Sequence, residues 1–109
     1  VEALLRRAQQ VPEYIHKGRL RLDVTADVAT LDGADLLLSQ KEFSLLLIFV
    51  QNEERFIGAE YLYEKVWKQA MAGNSNTLKT TINRLREKIK SSDYRIAWSR
   101  GEGYCFERE

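Results

Sequence analysis

Between Asn74 and Arg100 stand seven basic side chains, Lys79, Arg84, Arg86, Lys88, Lys90, Arg95 and Arg100, against two acids, Glu87 and Asp93. The whole chain of 109 residues carries only +1, so positive charge is concentrated in this stretch and the remainder is net negative. At a helical turn of about 100° per residue, Leu78, Ile82, Leu85 and Ile89 form one apolar stripe. Asn76, Thr77, Thr80, Asn83, Arg84 and Glu87 then project outward. Lys79, Arg86 and Lys90 line one flank of that face, and Thr81 and Lys88 the other. Hydrogen-bonding tips along the middle and cations on both sides suit a helix lying in a DNA major groove. The centre can read base edges while the flanks neutralise phosphates. An ordinary solvated helix face is the plainer alternative, but acids are scarce here, and Thr and Asn are poor helix-surface formers. Arg100 lies in the turn Arg100-Gly101-Glu102-Gly103, from which a guanidinium can enter an adjacent minor groove.

Other chemistry is thinly supplied. One cysteine cannot form an internal disulfide, and Cys105 with His16 cannot fill a zinc tetrad. No nucleophile–base pair is visible, so no enzyme, metal or cofactor is expected. The longest apolar run, Leu45 to Val50, falls far short of the roughly 18 residues of a membrane span. The start, Val1-Glu2-Ala3-Leu4-Leu5-Arg6-Arg7, is too charged for a secretory signal. These features together point to a cytoplasmic setting.

Positioning the basic helix requires a small core, and 44% hydrophobic residues suffice for one domain of this length. Val1 to Gln10 carries Leu4, Leu5 and Ala8 at helical spacing and is closed by Pro12; it reads as the end of a preceding domain plus a linker, with residues 1–17 outside the core domain and 18–109 within it. Leu20, Leu22 and Val24 alternate with charged neighbours, Ala26-Asp27 turns the chain into Val28 to Leu31, and Asp32-Gly33 leads to Leu36 to Leu38, an antiparallel meander. Ser39-Gln40-Lys41-Glu42 is a capping box opening an apolar helix through Phe43, Leu46, Leu47 and Val50, the expected core helix. Phe56-Ile57 is a short extended piece, and a second helix starts near Gly58 or Ala59 and runs through Leu62, Val66 and Trp67. Asn74-Ser75 can cap the basic third helix, after which Tyr94 to Trp98 and Tyr104 to Glu107 alternate as a terminal hairpin. The expected class is α+β.

Four stretches, in order and correctly spaced, resemble the winged-helix effector domain of the OmpR/PhoB family of bacterial response regulators. They are Leu38-Ser39-x-x-Glu42-Phe43-x-Leu45-Leu46; Tyr61-Leu62-x-x-x-Val66-Trp67; Asn76-Thr77-Leu78 with Ile82-Asn83-Arg84-Leu85-Arg86-x-Lys88-Ile89; and Arg100-Gly101-x-Gly103-Tyr104-x-Phe106. The resemblance spans about Gly18 to Glu107. It implies a winged helix-turn-helix with an N-terminal four-stranded antiparallel sheet, three helices and a C-terminal β-hairpin wing. It also implies an upstream receiver domain phosphorylated by a sensor kinase, head-to-tail dimers on direct repeats of double-stranded DNA, and RNA polymerase contact through the loop Lys68 to Asn74.

Carried over by position, Trp67, Asn76, Thr81, Asn83, Arg84, Arg86 and Arg100 occupy places that often meet DNA. With the residue reading, Thr80, Asn83 and Arg84 are expected to discriminate bases, and Lys79, Arg86 and Lys88 to hold phosphates. Asn76 and Asn83 stand where arginine is frequent, Trp98 where threonine commonly contacts the backbone, and Cys105 replaces a usual arginine; the resemblance therefore implies weaker affinity and a different sequence read. Trp67 is expected to be mainly structural, Trp98 to pack, Cys105 to face away from what Tyr104 and Phe106 bury, His16 to be solvated, and Tyr61 and Tyr63 to be core and rim. Two alternatives remain: a winged helix that docks on the transcription machinery without reading DNA, and a membrane-anchored regulator with a similar domain.

Overall fold

The Ser39 hydroxyl accepts from the Glu42 N–H at 3.2 Å, and the Glu42 carboxylate accepts from the Ser39 N–H at 2.8 Å. Two orphan donors of a helix start are thereby satisfied reciprocally. The computed structural model describes residues 14–109, and the helix so started, α1, runs Gln40–Gln51. It buries Phe43, Leu45, Leu46, Phe49 and Val50, more than a single face, as a central helix must. α2 (Ala59–Trp67) and α3 (Ser75–Ile89) pack against it. The expected stripe of α3 holds: Leu78, Ile82, Leu85 and Ile89 are each no more than 1% exposed.

Ahead of α1 lies an antiparallel sheet in the order β1 (Tyr14–Lys17), β2 (Leu20–Asp23), β3 (Val28–Leu31), β4 (Ala34–Asp35). Leu20 and Leu22 turn inward while Arg21 is exposed, the period-2 pattern of the sequence. Two details differ from expectation. Tyr14–Lys17, expected as linker, pairs with β2, and His16 stands opposite Arg21 as a strand residue. Ile15 is the only aliphatic residue of those four, too little for a periodicity signal. The last strand is Ala34–Asp35 rather than Leu36 to Leu38, because the Asp35 carboxylate accepts from the Leu37 N–H at 2.7 Å and Leu37 takes a φ of 56°. That local hydrogen bond turns the chain out of the sheet towards α1. The terminal helix expected over Val1 to Gln10 lies outside the described residues.

The second sheet has the order β5-β7-β6, with β5 (Phe56–Ile57) and β6 (Tyr94–Ser99) flanking β7 (Gly103–Arg108). β6 and β7 form the hairpin, with Trp98 opposite Tyr104 and Ser99 opposite Gly103. Cys105 alternates with Tyr104 and Phe106 as expected, standing opposite Phe56 and Ala97, and because β7 is central it is buried as well. The two tyrosines of α2 take the reverse of their expected places: Tyr63 is core and Tyr61 is 52% exposed. Strands, three helices and a hairpin make the α+β architecture that the sequence predicts.

One ion-pair cluster joins the two ends of this order. Arg19, beside the β1–β2 turn, pairs with Asp32 and Asp93 and donates to the Ser91 carbonyl. The N-terminal sheet is thus tied to the turn that follows α3.

Gly103 decides how closely the hairpin approaches β5. Its φ is +106°, and a Cβ there would lie 2.1 Å from the Ile57 carbonyl oxygen. Gly103→Ala is therefore expected to lower stability by about 1–3 kcal/mol through backbone strain alone, with the clash adding to it. Urea denaturation followed by circular dichroism measures the change, and an unaltered midpoint would contradict the close approach.

Candidate nucleic-acid interface

The outward face of α3 is assembled as its spacing predicts. Asn76, Thr77, Thr80, Asn83, Arg84 and Glu87 are all exposed along one side of the helix. Lys79 is exposed on one flank of that face, and neither it nor Arg84 has an ion-pair or hydrogen-bond partner among the described residues. Thr81 is half-buried, and its hydroxyl donates to the Thr77 carbonyl at 2.9 Å, so its proton is committed within the helix.

Arg100 is exposed at the tip of the hairpin and is also without a partner among the described residues. The Glu102 N–H closes that turn on the Ser99 carbonyl at 3.0 Å, and Gly101 takes the positive φ of 84°. A glycine is favoured at such a position.

Lys88 does not belong to this surface. Its ammonium lies 2.8 Å from the Glu42 carboxylate and donates to the Leu37 carbonyl at 2.9 Å. Glu42 is only 3% exposed, and a carboxylate taken out of water needs a partner. Burial alone pushes the Glu42 carboxyl up, but the Lys88 ammonium and the Ser39 N–H outweigh burial and hold it below its ordinary range. The expectation that Lys88 grips phosphate is corrected on this ground: its charge is consumed inside the domain.

Arg86 is likewise engaged. Its Nε donates to the Ile96 carbonyl at 3.0 Å and its Nη1 to Asn83 Oδ1 at 2.9 Å, while the guanidinium lies 5.6 Å from the Tyr104 ring centroid. Arg86 therefore bridges α3 to the hairpin strand β6. Among the other cations of this stretch, Lys90 pairs with Glu87 and Arg95 with Glu107. The expected cradle of seven is narrower than the sequence implies, with Lys79, Arg84 and Arg100 left unengaged.

Between α3 and the hairpin runs a shallow groove of about 280 Å³ lined by Lys79, Asn83, Arg86, Trp98 and Tyr104. Trp98 is 55% exposed and leans on Tyr104, ring centroids 4.8 Å apart. The sequence predicts packing, and alternation along β6 agrees, since Tyr94 and Ile96 of the same parity are buried; Trp98 is exposed because it stands at the hairpin end of the strand, one pair before the turn. A larger hollow of about 390 Å³ between β5 and the start of α2 has no lining residue on α3 or the hairpin.

Trp67 makes packing contacts on α2 and α1. Its ring stacks on Tyr63 at 4.7 Å with 4° between planes, and the Lys41 ammonium lies 5.6 Å from its centroid. The loop 68–74 carries three positive φ values, at Lys68, Ala72 and Gly73. Cys105 offers no reactive thiolate: burial and the neighbouring Glu107 push its thiol up. Among the described residues no group of three or more His, Cys, Asp or Glu could hold a metal ion, and no helix is long and apolar enough to cross a membrane.

An amphipathic helix with an exposed hydrogen-bonding face, packed on two other helices and followed by an arginine-tipped hairpin, defines a winged-helix DNA-binding domain. Residues 33–106 match the family model described as Transcriptional regulatory protein, C terminal. The chain belongs to that family, the OmpR/PhoB-type DNA-binding domain of transcription regulators. It is 38% identical over 108 residues to Regulatory protein VanRB of Enterococcus faecalis, covering 98% of this chain and 48% of that protein. It is 31% identical over 120 residues to the transcriptional regulatory protein ResD of Bacillus subtilis, covering 98% and 50%. The chain thus spans about half the length of the curated relatives it matches. Among solved structures, the DNA-binding domain of CpxR from E. coli superposes with a TM-score of 0.79 at 24% identity, covering 88% of this chain and 97% of that one. The Klebsiella pneumoniae RstA DNA-binding domain, solved in complex with the RstA box, gives 0.77 at 24%, covering 87% and 97%.

The Glu42–Lys88 pair yields a test with a definite sign. Because the folded carboxyl is held below its unfolded value, the stability it contributes is complete above the ordinary glutamate range and is lost as pH falls through the lowered value. Glu42→Gln should therefore flatten the acid limb of stability measured by urea denaturation between neutral and acid pH. Lys88→Ala should cost roughly 3 kcal/mol at neutral pH, by leaving a buried carboxylate unpaired. A Lys88→Ala domain as stable as the parent contradicts this account.

Proposed function

We propose that the exposed face of α3 enters the major groove of double-stranded DNA and reads bases through Thr80, Asn83 and Arg84, with Asn76 at the leading turn. Lys79 takes a flanking phosphate, and Arg100 at the hairpin tip enters the neighbouring minor groove. The observation that carries this reading is the coincidence of free cations with free hydrogen-bonding groups. Lys79, Arg84 and Arg100 are the basic residues of the last third up to the hairpin tip that nothing in the described fold engages. Phosphate contacts position a protein and base contacts specify its site, and both kinds of group are present on one face.

Trp98 extends the reading. A helix in the major groove and a wing in the minor groove straddle one sugar–phosphate strand, and Trp98 faces the groove between them. Its ring can pack on deoxyribose and its indole N–H can donate to a phosphate oxygen. Thr81, with its proton committed to Thr77, can only accept, and the Trp67 ring meets the Lys41 ammonium of α1.

In the longer protein this domain is the output half of a bacterial cytoplasmic response regulator. An upstream receiver domain, phosphorylated by a sensor kinase, brings two copies together head to tail on direct repeats, and the loop 68–74 meets RNA polymerase. The half-length match to VanRB and ResD and the RstA complex with its box support this. The domain has no catalytic part in that scheme.

Two substitutions separate reading from gripping. Arg84→Ala should lose about 1–3 kcal/mol of discrimination between a selected duplex and random DNA. Lys79→Ala should weaken binding to both alike and reduce the slope of log K against log salt by about 0.9. Trp98→Ala should behave as Lys79→Ala does in affinity but leave the salt slope unchanged. Fluorescence anisotropy titrations across a salt series measure all three. If every variant binds both duplexes as the parent does, while a polymerase subunit is retained by the loop, the domain is a protein-docking module instead.

A further inference from the structure

Asn83 is exposed in the middle of the α3 face, and one half of its amide is already used. Arg86 Nη1 donates to Asn83 Oδ1 at 2.9 Å, across the i, i+3 spacing that sets two helical residues side by side. The guanidinium has donors and no acceptor, so only the amide oxygen can be turned towards it. Two further contacts hold Arg86 here: its Nε donates to the Ile96 carbonyl at 3.0 Å and its guanidinium carbon lies 5.6 Å from the Tyr104 ring centroid. Arg86 is half-buried and Asn83 is exposed, so the amide nitrogen is the half that faces outward.

An asparagine with both halves free pairs with adenine, donating to N7 and accepting from the N6 amino group. Here that amino group would meet a carbonyl oxygen already bonded to a cation and would lie beside the guanidinium itself, donor against donor. Guanine presents the opposite edge, with N7 and O6 both acceptors. The Lys79 ammonium, exposed one helical turn before Asn83 and lining the same groove, keeps positive charge on that side while it holds its phosphate, which further disfavours a base amino group there. Acceptors are what this part of the surface can satisfy.

We propose that Arg86 is a positioning residue that fixes Asn83 as a donor-only reader, so that position 83 selects guanine rather than adenine. The inference rests on α3 being the helix that reads the major groove, and it replaces the phosphate-gripping role expected for Arg86.

The test uses the 109-residue domain and a duplex that it selects from a randomised pool, with each base pair then replaced in turn. Asn83→Ala should flatten the preference at one position, and the parent's preferred base there should be guanine by roughly tenfold over adenine. Replacing that guanine with 7-deazaguanine, which lacks the N7 acceptor, should weaken the parent several-fold and leave Asn83→Ala unaffected. Arg86→Met keeps the aliphatic stem and cannot donate; it should shrink the guanine preference to less than threefold at that position, with adenine gaining and other positions unchanged. Asn83→Asp, a surface change that leaves the fold alone, pairs its carboxylate with Arg86, offers no donor and should abolish the guanine preference even where Arg86→Met proves unstable. An adenine preference at the position in the parent, no position flattened by Asn83→Ala, or an Arg86→Met domain that loses affinity with its guanine preference intact would each overturn the inference while leaving Arg84 and the α3 face in place. A parent that selects no sequence at all overturns both.

Discussion

Glu42 lies between α1 and α3 with its carboxylate answering two needs at once. It accepts from the Ser39 N–H, completing the capping box that starts the core helix, and it meets the Lys88 ammonium 46 residues further along the chain. Lys88 also donates to the carbonyl of Leu37, the residue whose positive φ turns the chain from the first sheet into α1. One buried carboxylate therefore links the sheet exit, the start of the core helix and the last turns of α3. Buried pairs of this kind add little net stability over an apolar substitute, and their effect is on register. Sliding α3 along α1 would strand a charge in the core, whereas sliding an apolar stripe costs only imperfect packing.

That constraint acts at the C-terminal half of α3, and a second tie acts just beyond it. Arg19 holds the turn after the helix against the first sheet through Asp32, Asp93 and the Ser91 carbonyl. Arg86 binds the same half of the helix to β6, and Gly103 lets β7 lie against Ile57. The hairpin tip is thus set at a fixed separation from α3, by polar contacts on one side and a backbone approach on the other. In the N-terminal half, Asn76, Thr77, Lys79 and Thr80 keep their side chains exposed while Leu78 packs inward. A helix anchored by one half and presented by the other can touch DNA without losing its own packing.

Local features of this fold are legible in the sequence because they are made by neighbours. The Ser39–Glu42 box, the α3 stripe and the glycine turn at 101–103 each need only residues a few positions apart. Features made across the chain are not. Lys88 has the same spacing as a flank residue, and only the three-dimensional meeting with Glu42 removes it from the surface. β1 failed to register because a four-residue strand with one aliphatic side chain has no usable period. The alternation of Cys105 was legible but its burial was not, because that depends on β7 being the central strand of a sheet assembled from distant segments. Trp98 shares the parity of the buried Tyr94 and Ile96, and only its place at the hairpin end of β6 leaves its ring exposed.

Charge counting misleads most in a domain like this one. Seven cations between Asn74 and Arg100 suggest a surface bound to DNA chiefly by phosphate attraction. Four of them are occupied, by Glu42, Glu87, Glu107 or the Ile96 carbonyl. With each free cation that meets a phosphate contributing a salt slope of about −0.9, the electrostatic component falls well below what the composition implies. If α3 docks as proposed, discrimination falls to the neutral and bidentate groups on the helix face, which salt screens little. On the proposed reading, the preference of such a domain for a chosen site depends on hydrogen-bond geometry fixed from inside the fold.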